Sequence, residues 1–179
     1  MKIETHFPLV EDILGNYRGI IRSDFAAYRN HVYRVINLCF TLGTFGKVDK
    51  EKIQIAACFH DIGIWTAGSL DYLRPSELEA TKYLQARGKG KWVSEIVEMI
   101  EMHHGIRSCA DSKFALVDIF RRADIADFSL GIFLMGISRE QFSQVKLALP
   151  NAGFHKRLAQ LGGKWFLKHP LNPLPMFRR

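Results

Sequence analysis

The run Asp49-Lys50-Glu51-Lys52-Ile53-Gln54-Ile55-Ala56-Ala57-Cys58-Phe59-His60-Asp61-Ile62-Gly63 decides how this chain is read. Ile53, Ala56, Ala57 and Phe59 recur at helical spacing, with acidic Asp49 at the start and Gly63 as the break. The helix therefore ends on His60, followed directly by Asp61, in apolar company. Burying a carboxylate there costs several kcal/mol unless it is paired or binds a metal.

The punctuation on either side also marks helices. Upstream, Asp24 stands as N-cap of a segment through Leu42, with Phe25, Tyr28, Val32, Val35, Ile36 and Cys39 on its apolar stripe. Downstream, 64–74 is irregular and reads as a loop. Ser76 with Glu79 then forms a capping-box pattern, with Pro75 as a first-turn proline, for a helix that stops at Gly88. A further helix spans Trp92 to His104 with Gly105 as its C-cap, and Ser112 precedes a periodic run to Leu130. Ser138 with Gln141 makes a second capping box for a helix ended by Pro150, and a last helix covers Gly153 to Lys168. No strand-like alternation occurs. The expectation is all-α: a single helical-bundle domain over 1–179, with C-terminal helices and a Pro-rich tail over 138–179. The tail from Pro170 to Arg179 is an extended wrap or a loose end.

Composition narrows the classes further. At 179 residues, with 47% apolar and 24% charged, the chain is no disordered segment and has ample material for a core. Its three cysteines, Cys39, Cys58 and Cys109, form no CxxC pair, which excludes a zinc ribbon or a disulfide framework. The apolar stretch Ile125 to Ile137 is short and interrupted by Asp127, and the N-terminus lacks the apolar centre of a signal peptide. A cytoplasmic location and no membrane partner are expected. The net charge of +7 favours an anionic partner. Basic residues read as scattered, densest at Arg87-Gly88-Lys89-Gly90-Lys91, so nucleic acid is not the expected partner, while self-association stays open.

Of seven histidines, His6, His155 and His169 lie in polar or terminal surroundings. The other four are His31 mid-helix, His60 beside Asp61, and the pair His103-His104 at a helix end; Asp124 lies inside the helix that follows. Two imidazoles and two carboxylates from three helices suit a first-row divalent ion. Each position alone also fits an interior or surface residue, and Asp124 has Arg121 and Arg122 as alternative partners.

Taken in order, these residues resemble the HD superfamily of metal-dependent phosphohydrolases, whose pattern is H…HD…D. His31-Val32-Tyr33-Arg34-Val35 is similar to the family's HxxRV, Ala56 to Gly63 to its apolar HDIG run, and Arg122-Ala123-Asp124 to its closing RAD. The likeness covers roughly 28–128. It implies a divalent ion (Mn, Fe, Co, Ni, Zn or Mg) held by His31, His60, Asp61 and Asp124, with Asp61 also orienting the attacking water. A second ion would draw on His103, His104 and Glu77. The implied activity is hydrolysis of a small phosphorylated, nucleotide-like molecule, a phosphomonoester or phosphodiester. Arg34, one turn from His31, and Arg121, one turn before Asp124, are expected to meet its phosphate, with Arg107 and Lys113 nearby. Departures narrow the choice. Ile64 stands where nucleotidase members carry Glu and cyclic-dinucleotide phosphodiesterases carry Lys, and 62–102 hold no further histidine. Two alternatives stay open: a non-hydrolytic relative (di-iron oxygenase or hydratase), and a domain that keeps the metal for binding or regulation.

Overall fold

The computed structural model describes residues 2–105, 112–172 and 175–177. Among them are ten α-helices and no strand: α1 (Pro8–Gly15), α2 (Arg18–Ile21), α3 (Phe25–Thr41), α4 (Lys47–Phe59), α5 (Gly63–Thr66), α6 (Leu73–Ala86), α7 (Val93–Met102), α8 (Ala115–Phe128), α9 (Arg139–Ala148) and α10 (Phe154–Lys168). The chain is all-α, as its periodicity indicates.

Helices α3, α4, α7 and α8 close a ring in which α3 and α7 each pack against α4 and α8. α3 is the central member. Twelve of its seventeen residues are buried, polar His31, Arg34 and Asn37 among them, because α4, α8, α9 and α10 all pack on it. α6 covers α7, α1 packs on α4, and α9 and α10 lie on α3. Helix α1 had no counterpart in the sequence reading. Pro8 opens its first turn, where a missing N–H costs nothing, and it buries Val10, Ile13 and Leu14.

Three local readings need correction. Helix α6 begins at Leu73, not at Pro75, and part of 64–74 is the short helix α5. Ser76 is consequently buried inside the first turn, where its Oγ accepts from the Gly63 N–H at 3.0 Å. Glu79 turns away to Tyr17 and Lys82, so no box forms there. Asp24 does stand at the N-cap of α3 but makes no capping bond. Its carboxylate accepts from Trp65 Nε1 at 3.0 Å and Arg157 Nε at 2.8 Å, joining α3, α5 and α10. The Ser138–Gln141 box, by contrast, is complete in both directions.

Cys39 and Cys58 are buried free thiols, and burial pushes both above the usual thiol range. Cys109 and Arg107 lie outside the described residues.

Candidate metal centre and cavity

Each helix of the central ring delivers a polar group to one point. His31 comes from the middle of α3, His60 and Asp61 from the residues just past α4, His103 from the residue after α7, and Asp124 from α8. All five are at least nine-tenths buried. The turn that presents His60 and Asp61 depends on Gly63. A Cβ there would lie 2.3 Å from the Tyr72 carbonyl oxygen, so only glycine lets this turn press against the start of α6.

Hydrogen bonding fixes which atoms face inward. His31 Nδ1 donates to Asp127 Oδ2 at 2.7 Å, and His60 Nδ1 donates to the Ala57 carbonyl at 2.8 Å. His103 Nδ1 donates to the Ile100 carbonyl at 2.5 Å. A carboxylate and a carbonyl can only accept, so each Nδ1 carries a proton and each ring turns its Nε2 toward the centre. There His31 Nε2 and His60 Nε2 stand 2.9 Å apart. Asp124 Oδ1 lies 3.5 Å from both, and Asp61 Oδ2 lies 3.6 and 3.4 Å from them. Four atoms able to ligate a metal therefore converge on one point.

Such a cluster needs a positive charge at its centre. Burial opposes a charged His60, but Asp61 and Asp124 outweigh it and raise its pKa to about 9. Burial likewise opposes ionised Asp61, yet His60, His103 and His31 hold its carboxyl well below the usual range. A divalent cation meets the same demand more fully than a proton. Donors at right angles on an ion bound at about 2.1 Å are about 3 Å apart, close to the His31–His60 spacing. His31, His60 and Asp61 could hold a metal ion together, with Asp124 beside them.

A second group adjoins the first. Asp61 with His103 and His104 also places three ligand atoms within 4.8 Å of one another. Asp61 Oδ1 and His103 Nε2 are buried without hydrogen-bond partners and lie 3.5 Å apart. Both histidines of the pair thus reach the site, and Asp61 faces each group with a different oxygen. Tyr72, kept protonated by burial, donates its hydroxyl to His104 Nε2. Glu77 is buried but enters neither group; Arg74 Nη1 lies 3.1 Å from its carboxylate.

The two arginines do not go where the sequence reading sent them. Arg34 donates to Asp127 Oδ1 from Nε at 2.6 Å and to Oδ2 from Nη2 at 2.9 Å, and its Nη1 reaches the Leu149 and Pro150 carbonyls. Arg121 holds Asp118 Oδ1 and donates to the Gly105 carbonyl at 3.0 Å. Both are buried and neither lines the cavity described below. Forked guanidinium bonds to an internal carboxylate satisfy a buried Arg better than an open site does. Asp127, which the sequence reading did not single out, is the partner that explains Arg34. It orients His31 through Nδ1, the carboxylate–histidine arrangement that fixes a ligand's tautomer. Lys113 is exposed and packs over the Phe114 ring.

A cavity of about 330 Å³ opens over the centre. His31, Asp61 and Asp124 reach it from below, Tyr72 and His104 from one side, and His155 from α10. Its remaining lining is apolar, including Ile64, Leu70, Phe128, Leu158 and Met176, and no Lys or Arg among the described residues lines it. Phe154, the one fully buried residue of α10, stacks on His31 with ring centroids 4.1 Å apart. His155 Nε2 donates to the Phe128 carbonyl at 3.0 Å, so a histidine with polar sequence neighbours has an internal partner.

The family model for the HD domain matches residues 28–127, more than half the chain and every group of this centre. The chain belongs to the HD-domain family. No curated protein and no solved structure matches it. HD domains bind divalent metals and are commonly hydrolases of the metal-dependent phosphohydrolase type. No helix among the described residues is long and apolar enough to cross a membrane.

Proposed function

We propose that this HD domain is a metal-dependent phosphohydrolase acting on a small phosphoester, a nucleotide or another phosphorylated molecule. The observation that carries the reading is the buried convergence of His31, His60, Asp61 and Asp124 at the floor of a cavity. These four residues hold the ion, and Asp127 and Arg34 position His31 from behind. A divalent ion there would supply a polarised phosphoryl oxygen and a bound water of lowered pKa. Asp61 Oδ1, without a hydrogen-bond partner, is the acceptor that orients the attacking water and receives its proton. The walls take the organic part of the substrate: their apolar lining suits a base or an acyl body, and the scarcity of cationic groups favours one phosphate over a polyphosphate.

The second group, Asp61 with His103 and His104, supports a two-ion version of the site and keeps a di-iron oxygenase as the second reading. Metal analysis of the purified chain, with His60→Ala and Asp61→Ala beside it, tests both. The expected result is at least one divalent ion per chain, lost in both variants, with phosphate released from a panel of monoesters and diesters only by the metal-loaded parent. Two irons per chain with oxygen consumption and no phosphate release would replace hydrolase by oxygenase. A parent that binds no divalent ion on titration would overturn the metal centre itself.

A further inference from the structure

The net charge of +7 has a location. Residues 141–179 contain seven Lys or Arg and no Asp or Glu, so the first 140 residues are balanced and the whole excess lies after Glu140. The basic residues themselves are spread along the chain, 18 of the 25 lying before residue 141; what the last segment lacks is acidic residues to balance them. Four fall on α10: Lys156, Arg157, Lys164 and Lys168. Arg157 is engaged by Asp24, while Lys156, Lys164 and Lys168 are exposed.

The same helix exposes its large apolar groups. Phe166 is 52% and Leu167 82% exposed. At 100° per residue Leu167 falls between Lys156 and Lys164 in the middle of the exposed arc, with Phe166 and Lys168 at its two edges, 100° to either side. The opposite face points inward, where Phe154 stacks on His31 and Leu158 and Gly162 line the cavity. Trp165 is half-buried at the end of the helix, its Nε1 donating to the Asn172 carbonyl at 2.8 Å. Exposed lysines bracketing exposed Phe and Leu, with no acidic residue in the segment, form the composition of a helix that lies in a lipid interface.

We infer that the outer face of α10 docks on an anionic lipid surface, Phe166 and Leu167 entering the acyl boundary and Lys156, Lys164 and Lys168 meeting the headgroups. The charge selects an anionic surface, and the apolar pair selects lipid over a purely polar polyanion, which gives Leu167 nothing to bury against. The expectation of no membrane partner rested on the absence of a spanning stretch, which does not bear on a helix lying flat. A docked α10 sets the cavity about one helix diameter, roughly 10 Å, from the headgroups.

The test is co-sedimentation of the full chain with phosphatidylcholine vesicles and with vesicles of equal parts phosphatidylcholine and phosphatidylglycerol, at low and high salt. Binding is expected only to the mixed vesicles and is weakened by salt, each lysine contributing roughly fivefold to partitioning. Lys164→Glu with Lys168→Glu, and separately Phe166→Ser with Leu167→Ser, should each lower partitioning by about tenfold or more. Both should keep the circular dichroism spectrum of the parent, with the melting temperature lowered only slightly, since Leu167 and the lysines are exposed and Phe166 is half exposed. Equal retention on the two vesicle types overturns the inference. So does a Phe166→Ser/Leu167→Ser variant that binds mixed vesicles and heparin as well as the parent does, which makes the face a polyanion site. A dimer in light scattering that this variant dissolves makes it a contact between copies instead. None of these readouts depends on hydrolase activity.

Discussion

Helices α3 and α10, seventeen and fifteen residues long, both place a ring at the candidate metal centre, yet twelve residues of α3 are buried against one of α10. In α3 the candidate ligand His31 is fixed from three sides: by neighbours along its own helix, by Asp127 behind it and by Phe154 stacked upon it. In α10 Phe154 is the one fully buried anchor, helped by Leu158 and Leu161 packed on the core, by His155 on the Phe128 carbonyl and by Arg157 on Asp24. A ligand has to be held within a fraction of an ångström, so it sits where packing over-determines it. A wall and a docking face need only be presented, so they sit where one side stays free.

The largest effect is expected where α3 meets α8. Asp127→Ala removes the acceptor of His31 Nδ1 and both forked bonds of Arg34, leaving a buried guanidinium with only the carbonyls of Leu149 and Pro150, 3.4 and 3.3 Å away. Breaking a buried pair by removing one partner costs about 3–5 kcal/mol, and loss of a carboxylate behind a ligating histidine costs about 10–100-fold in metal affinity. Urea denaturation and metal titration measure the two separately. A variant as stable as the parent would mean that Arg34 finds water or another partner.

A matched pair of substitutions probes the comparison directly. Leu38, fully buried in α3, should lose about 2–5 kcal/mol of global stability on truncation to Ala, because the ring cannot collapse around it. Phe154→Ala removes a larger side chain. Helix α10 can detach without unfolding the ring, so the global loss should fall below the roughly 3–5 kcal/mol of a rigid-core Phe. Amide exchange separates the outcomes: faster throughout for Leu38→Ala, faster across 154–168 for Phe154→Ala. If exchange rises equally everywhere in both variants, α10 is as integral as α3 and the contrast fails.

How much of this was legible in the sequence follows the same division. Residues that build the ring repeat at helical spacing, so α3, α4 and α8 could be read to within a few residues. The ligand types His31, His60, Asp61 and Asp124 stood out as polar groups on apolar faces. Asp127 was hidden because its meaning depends on a pairing between helices. Arg34 follows His31 by three residues, as Asp127 follows Asp124, and only the packing of α3 on α8 brings the two pairs together. Judged by charge alone, Arg34 was assigned to a phosphate when a carboxylate was already waiting for it. The Ser76–Glu79 pattern misled for a related reason: its spacing occurs inside a helix as readily as at a start, and the Gly63 N–H had the prior claim on Ser76 Oγ. His155 carries no signal in its polar neighbourhood, since what it binds is the end of α8.

The smallest effect is expected at the joint between the two helices. Asp24→Ala leaves the N-cap position of α3 without a lost capping bond, because none is made there. What it removes is the acceptor of Trp65 Nε1 and Arg157 Nε. The arginine side chain is 35% exposed and recovers water when released, so the loss should be about 1 kcal/mol, less than a buried pair would cost. Its location matters more than its size. The cut frees α10 from α3 and α5 while leaving Phe154 on His31, so amide exchange should quicken in α10 with metal affinity unchanged. A fall in metal affinity would show that Asp24 also holds the ligand helix in place, joining two regions that the structure otherwise keeps apart.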